Sequence, residues 1–264
     1  MAADNFEGFQ QQEESIDIKA LFFKFVRYWY LFVLTVFVAL VVAFLFNKYT
    51  SPVFEVNTTV LVKDDKGGAL SAASMLGGLG LSNTQQNVEN EIGILNSFSL
   101  TYRAIRELDF EISYFLDEGL INTEMYPSAP FEVIMDTSVA QAVGLKFNIK
   151  FLNSSEFSIE ADGELIRKYN FSSAKYEGSE LEKVKWEDTY RFGELVENDY
   201  GTFKVILTDE FDSEKDFDAS YYFVFKDYYG LTKSFMGFEI EPINREASIL
   251  NIKLKKNNTK KAVN

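Results

Sequence analysis

Residues 28–47, YWYLFVLTVFVALVVAFLFN, form an uncharged run of twenty residues bracketed by Arg27 and Lys48, and no other stretch constrains the chain as much. A helix rises about 1.5 Å per residue, so this run crosses about 30 Å, the thickness of a bilayer's hydrocarbon core. Between Leu31 and Phe46 the one polar side chain is Thr35. A buried core helix is usually shorter and keeps a polar face. A cleaved signal peptide fits badly, because twenty-seven residues precede the run and no small-residue cleavage pattern follows Phe46. The stretch therefore reads as a retained transmembrane anchor, with Tyr28, Trp29 and Tyr30 as an aromatic belt at one interface and Phe46 near the other end. Lys19, Lys24 and Arg27 stand before the span and Lys48 alone just after it. That bias predicts a cytoplasmic N-terminus and an exported remainder, periplasmic in a diderm cell.

The 216 residues after Lys48 are enough for one large domain or two small ones with real cores. Twenty-six Phe and fourteen Tyr point to β-rich packing rather than to a helical bundle. The chain has no Cys and no His. Thiol catalysis, disulfides, Ser-His-Asp chemistry and the ordinary zinc and iron sites thus lack their residues. A net charge of −14 argues against nucleic acid and against docking on anionic lipid, both of which need positive surface.

Residues 1–15 are polar and Gln/Glu-rich and read as a disordered tail; from Ile16 an amphipathic segment with Asp17 as N-cap runs into the span. After Pro52, the residues Phe54, Val56, Val60 and Val62 share one face at period two, which predicts a strand ending at the turn 64–68. Asp64 and Asp65 beside Lys66 and two glycines read as a solvated turn rather than a cation site. Residues 69–83 are Gly-rich; the GGLGLS spacing lacks the Lys-Ser/Thr of a phosphate loop and reads as a mobile loop or a segment that orders at a subunit contact. Over residues 87–108, Val88, Ile92, Leu95, Phe98, Tyr102, Ile105 and Leu108 step by three and four along one helical face. Gly93 and Asn96-Ser97 interrupt this face, which predicts two helices, the second capped by Ser97 or Ser99. The opposite face, with Glu89, Glu91, Arg103, Arg106 and Glu107, reads as solvated. From residue 110 to 254 the pattern is almost entirely β, with expected strands at 110–116, 131–135, 145–151, 157–160, 164–170, 202–208, 221–225, 235–241 and 249–254. Ala161-Asp162-Gly163 is an expected hairpin turn. Tyr221, Tyr222, Tyr228 and Tyr229 read as core or cross-strand aromatics rather than a sugar-stacking platform. A helix start at Thr259, with one turn of chain left, predicts that the polypeptide is a piece of a longer one.

The segments IDIKALFFKFVRYWY, SPVFEVNTTVLVKDD, SMLGGLGLSN and NVENEIGILNSFSLTYRAIRELDF, in this order, resemble the N-terminal part of the Wzz chain-length-determinant family, the polysaccharide co-polymerases. EMYPSAPFEV and SILNIKLKKNNTKKAVN resemble the β-rich insertion and return strand of the Bacteroidetes type, which often continues into a cytoplasmic tyrosine autokinase. The resemblance implies an inner-membrane protein that assembles as a homo-oligomer and works with a polysaccharide polymerase and export machinery on O-antigen, capsule or exopolysaccharide. It implies no cofactor and no catalysis in these residues, since the kinase of such relatives follows a second span. The corresponding fold is α+β: a cytoplasmic tail (1–27), a transmembrane helix (28–47), a strand and helices forming an extracytoplasmic α/β layer (48–109), a β-sandwich-like insertion (110–246), and a return strand with the start of a helix (247–264). The surfaces free for subunit contact are Gly77, Gly78 and Gly80 in the loop and Glu89 and Glu91 on the helix. Two other classes fit the residues alone. One is the extracytoplasmic sensor of a signalling receptor. The other is a tethered glycan hydrolase or lyase, which needs a convergent carboxylate pair that no spacing here singles out.

Overall fold

The computed structural model describes residues 26–50, 52–62, 83–119, 122–243 and 249–263. The chain divides at Thr50/Ser51 into two units. The first is helix α1 (Trp29–Tyr49), with none of its residues buried. Thr35, its internal polar residue, donates its hydroxyl to the Phe32 carbonyl at 2.9 Å, so no polar group of that side chain faces outward unpaired.

The second unit runs β1 (Phe54–Leu61), α2 (Asn83–Leu95), α3 (Phe98–Ile105), β2 (Ile112–Asp117), β3 (Asn122–Glu124), β4 (Phe131–Met135), β5 (Gln141–Val143) and β6 (Lys146–Phe151). It continues through β7 (Glu156–Asn170), β8 (Lys175–Arg191), β9 (Leu195–Asn198), β10 (Gly201–Leu207), α4 (Ser213–Asp216), β11 (Tyr221–Phe225), α5 (Tyr228–Phe235), β12 (Glu239–Pro242), β13 (Ile249–Lys256) and α6 (Thr259–Val263).

Strands from the two ends of this unit make a small sheet in the order β1-β13-β12. β1 and β13 are antiparallel over their full length, Phe54 opposite Lys256 and Leu61 opposite Ile249. The pairing follows from the period-two patterns of both strands. It puts Val56, Val60, Leu250, Ile252 and Leu254 on one face and Glu55, Lys253 and Lys255 on the other. The polar face carries ion pairs from Lys253 to Glu239 and Glu241 and from Lys255 to Glu55. The apolar face meets α3 and α6 across a cavity of about 270 Å³ lined by Leu100, Ile105, Ile252, Leu254 and Val263.

The larger core is a sandwich. A three-stranded sheet, β4-β10-β9, faces a seven-stranded one in which β11 pairs with both β2 and β6 and β7 pairs with β6, β5 and β8. Alternation along β4 and β6 sends every second side chain inward. Phe203 of β10 lies 5.5 Å from Phe147 and 5.3 Å from Phe223, ring centre to ring centre, and Phe131 of β4 reaches Phe151 at 5.9 Å. Buried Gln141 ties the sheets by polar bonds: its Nε2 donates to the carbonyls of Asp136 and Thr202, and its Oε1 accepts from Thr202 N at 3.0 Å. A Cβ at Gly201 would overlap that Oε1, so this position admits only glycine without rearrangement.

Several expected elements differ. Ala161-Asp162-Gly163 is not a hairpin: β7 runs straight through it for 15 residues. Gly163 there gives room to Leu145, whose Cδ1 would stand 2.8 Å from an added Cβ, and the reversal comes at residues 171–174 instead. The expected strand 235–241 begins only at Glu239, because Phe235 ends α5, which Asp227 caps by accepting from Gly230 N at 2.8 Å. The first strand after the helices starts at Ile112, not residue 110, and α2 starts at Asn83, four residues before the expected start. The break between α2 and α3 falls where expected, and Ser97 Oγ accepts from Leu100 N at 3.3 Å. The turn 64–68 lies outside the described residues.

Candidate functional site

Three features could carry function, and the first is α1. Its 21 residues span about 31 Å at helical rise, enough to cross a bilayer core. Tyr28, Trp29, Tyr30 and Phe46 are all exposed. Arg27 sits 6.0 Å from the Tyr28 ring centre and Lys48 lies 5.6 Å from that of Tyr49, so each end pairs a cation with an aromatic, a combination suited to an interface.

The second is the helical face expected to meet a neighbouring subunit. Gly77, Gly78 and Gly80 lie outside the described residues, so only Glu89 and Glu91 can be placed. Both are on α2, Glu89 exposed and Glu91 half-buried. Neither carboxylate takes part in a hydrogen bond or ion pair among the described residues. Two of the five expected contact residues are thus placed on one helix, two positions apart and pointing to different sides of it. Separately, β1 is an edge strand with Phe54 and Val60 still 45% and 39% exposed on the apolar face.

The third is the seam between the helices and the sandwich, which is aromatic. Phe98 and Tyr102 of α3 meet Tyr229 and Tyr228 of α5 at 5.3 and 6.2 Å, and the Arg106 guanidinium lies 5.5 Å from the Tyr228 ring centre. The Tyr228 hydroxyl donates to Glu111 Oε1 at 2.8 Å in a buried pair. Burial raises the Glu111 carboxyl above the usual range and raises the Tyr228 phenol too. A raised carboxyl is a trait of a general acid. Here it is bound to the phenol that fixes α5 against the start of β2, which accounts for it as a structural contact. Another buried tyrosine, Tyr221, likewise donates to Asp216 Oδ1 at 2.6 Å. Tyr221, Tyr222 and Tyr228 are core residues, and Tyr229 alone of that cluster is exposed.

Sequence reasoning missed the buried charges, Glu111, Asp216 and Lys261. Lys261 of α6, 5% exposed, donates to Glu124 Oε1 at 2.7 Å and to Ser113 Oγ at 3.0 Å, joining the last helix to β3 and β2. Nothing in KKAVN distinguishes this lysine from its exposed neighbour Lys260; tertiary packing alone selects it. Among the described residues no group of three or more acidic side chains is arranged to hold a metal ion.

An apolar span-length helix followed by an α/β layer and a β-sandwich defines a class of protein by architecture alone. Comparison with known proteins narrows the class. Residues 14–108 match the family model "Chain length determinant protein", Wzz. The chain is 32% identical over 101 residues to a tyrosine-protein kinase ptk of Acinetobacter johnsonii, a match covering 38% of this chain and 13% of the relative's length. The matched residues 14–108 take in α1, β1, α2 and α3.

Proposed function

We propose that this chain is the anchored, exported part of a polysaccharide co-polymerase that sets or supports the length of an O-antigen, capsule or exopolysaccharide. The observation that carries the reading is the coincidence of the Wzz match with the span-length helix and with β1, α2 and α3 of the small sheet layer. In this reading α1 lies in the bacterial inner membrane with residues 1–27 cytoplasmic, and residues 48–264 are exported. Length control is the work of a scaffold, in which copies of the chain pack side by side and the assembly engages the polymerase and export machinery. No cofactor takes part, and any kinase activity belongs to a domain outside these residues. Glu89 and Glu91, the segment with Gly77, Gly78 and Gly80, and the exposed apolar edge of β1 contribute to the subunit contact.

Orientation is tested by an alkaline phosphatase fusion after residue 120, which is expected to be active; an inactive fusion reverses the topology. Function is tested in cells lacking the gene. Glycan length on a gel is expected to lose its preferred range and to regain it on complementation. An unchanged distribution on deletion removes the length-control reading and favours an extracytoplasmic sensor.

A further inference from the structure

A cavity of about 410 Å³ opens where β3, α5, α6 and the ends of β11 and β13 meet, and Lys226, Lys256, Lys261, Glu124 and Ser234 are among its lining. Lys255 also lines the wall but is ion-paired to Glu55 at 3.6 Å; Lys256 and Lys261 come from the end of β13 and from α6, and the topology brings Lys226 to them. In a chain of net charge −14 such a gathering of cations is unexpected. Glu124 is the one carboxylate on the cavity wall, and it is committed to Lys261 at 2.7 Å.

The other two ammoniums have no counter-charge of their own. Lys226 makes no side-chain hydrogen bond or ion pair among the described residues and lies 5.5 Å from the Phe115 ring centre. Lys256 donates to the Ser234 carbonyl and lies 4.4 Å from the Phe235 ring centre, both neutral partners. Both side chains are half-buried. A surface lysine normally extends its head into water, whereas a cation withdrawn from water and left unpaired is unfavourable. Burial and the neighbouring charge of Lys261 push both ammoniums below the ordinary lysine range, with Glu124 opposing the shift. With Lys255 paired to Glu55, the one carboxylate of the wall thus faces Lys226, Lys256 and Lys261, and the imbalance would be relieved by a bound anion.

We propose that this cavity is a binding site for a compact oxyanion, a carboxylate or phosphate group carried on a ligand, with Lys226 and Lys256 as its charged donors. A uronic acid supplies the first group and a phosphate ester the second. The proposal does not depend on the length-control reading.

The test uses the full chain in detergent at low ionic strength, with glucuronate, inorganic phosphate, glucose and chloride as probes. Acetylation rates are read residue by residue by mass spectrometry, with exposed Lys183 as the internal reference. Glucuronate or phosphate is expected to slow acetylation of Lys226 and Lys256 and to leave Lys183 unchanged; glucose and chloride at equal ionic strength are expected to do neither. Protection by glucuronate alone assigns a carboxylate ligand, by phosphate alone a phosphate ester, and by both a general oxyanion site. Lys226→Gln is expected to weaken the protecting anion about tenfold, the loss of one charge-assisted hydrogen bond. Its melting temperature without anion is expected to stay equal or rise, since a repulsion is removed. Lys256→Gln serves as the second variant. The proposal is overturned if no probe protects beyond chloride, if glucose or Lys183 responds equally, or if both variants bind the anion as wild type does.

Discussion

The sandwich and the small sheet layer are built from similar strands, yet they bury them differently. In the sandwich, Phe147, Phe157, Phe203, Phe223 and Phe225 have no exposed surface, and their rings interlock at 4.9 to 5.7 Å wherever Phe147, Phe203, Phe223 and Phe225 meet. In the layer, every residue of β1 except Val56 is exposed, and a cavity stands between β13 and the helices that cover it. The sandwich needs nothing outside itself. The layer, which carries the strand and helices of the Wzz match, keeps apolar surface uncovered, and in the proposed assembly a neighbouring copy covers it. In the proposed reading, stability and function therefore reside in different halves of the second unit.

The largest expected effect breaks the sandwich. Phe223→Ala removes a ring stacked on Phe147 at 4.9 Å and is expected to lower stability by about 3–5 kcal/mol, read from the denaturant midpoint of the full chain in detergent. A loss under about 1 kcal/mol would mean that this core is loosely packed.

Next comes the latch between the two regions. Lys261→Ala leaves Glu124 without its partner and is expected to lose about 3 kcal/mol, whereas Lys261→Met, which keeps the volume, should lose less than the shorter residue. Equal losses would show that the charge is irrelevant and packing alone matters.

Alkali separates the regions further. Tyr114, whose hydroxyl accepts from Val133 N at 3.0 Å, has its phenol pushed up to about 12 by burial. Below pH about 10 it is neutral in both states and its contribution is complete. As pH rises through the unfolded value the unfolded phenol ionises first, so stability falls by about 2 kcal/mol by the time the folded value is reached. A midpoint of unfolding that stays constant from about pH 9 to about pH 11.5 would contradict this burial. The smallest effect lies in the layer: Ser97→Ala removes the cap of α3 and is expected to lower stability by about 1 kcal/mol.

How much of this was legible in the chain follows from where each residue's environment is decided. The uncharged run, the Ser97 break and the strands 131–135 and 221–225 are local patterns, and the structure has helix α1, the cap of α3, β4 and β11 there. The mating of β1 with β13, nearly two hundred residues apart, was legible because each has one clean apolar face and each adjoins a helix. β8 was not legible. KYEGSELEKVKWEDTYR is charged throughout, and Val184 is its one buried residue, because the strand needs only β7's backbone beside it. α5 was hidden by its aromatics, which read as strand until Asp227 is seen to cap it. Of the candidate contact, Glu89 and Glu91 could be placed and the glycines could not. In the lysine cavity Lys255, Lys256 and Lys261 share one basic stretch, whereas the arrival of Lys226 and Glu124 had no sequence signal, since they join it only through the topology.

The claim that length control resides in the layer and not in the sandwich is tested most directly by two substitutions of the same kind in cells lacking the gene. Val60→Glu charges the exposed apolar edge of β1, and Leu195→Glu charges an exposed position on β9 of the sandwich, 46% exposed. With both proteins present at wild-type level, glycan from cells carrying Leu195→Glu is expected to show the wild-type length range on a gel, and glycan from Val60→Glu cells a shifted or lost one. A wild-type range with Val60→Glu and an altered one with Leu195→Glu would place the function in the sandwich and contradict the account.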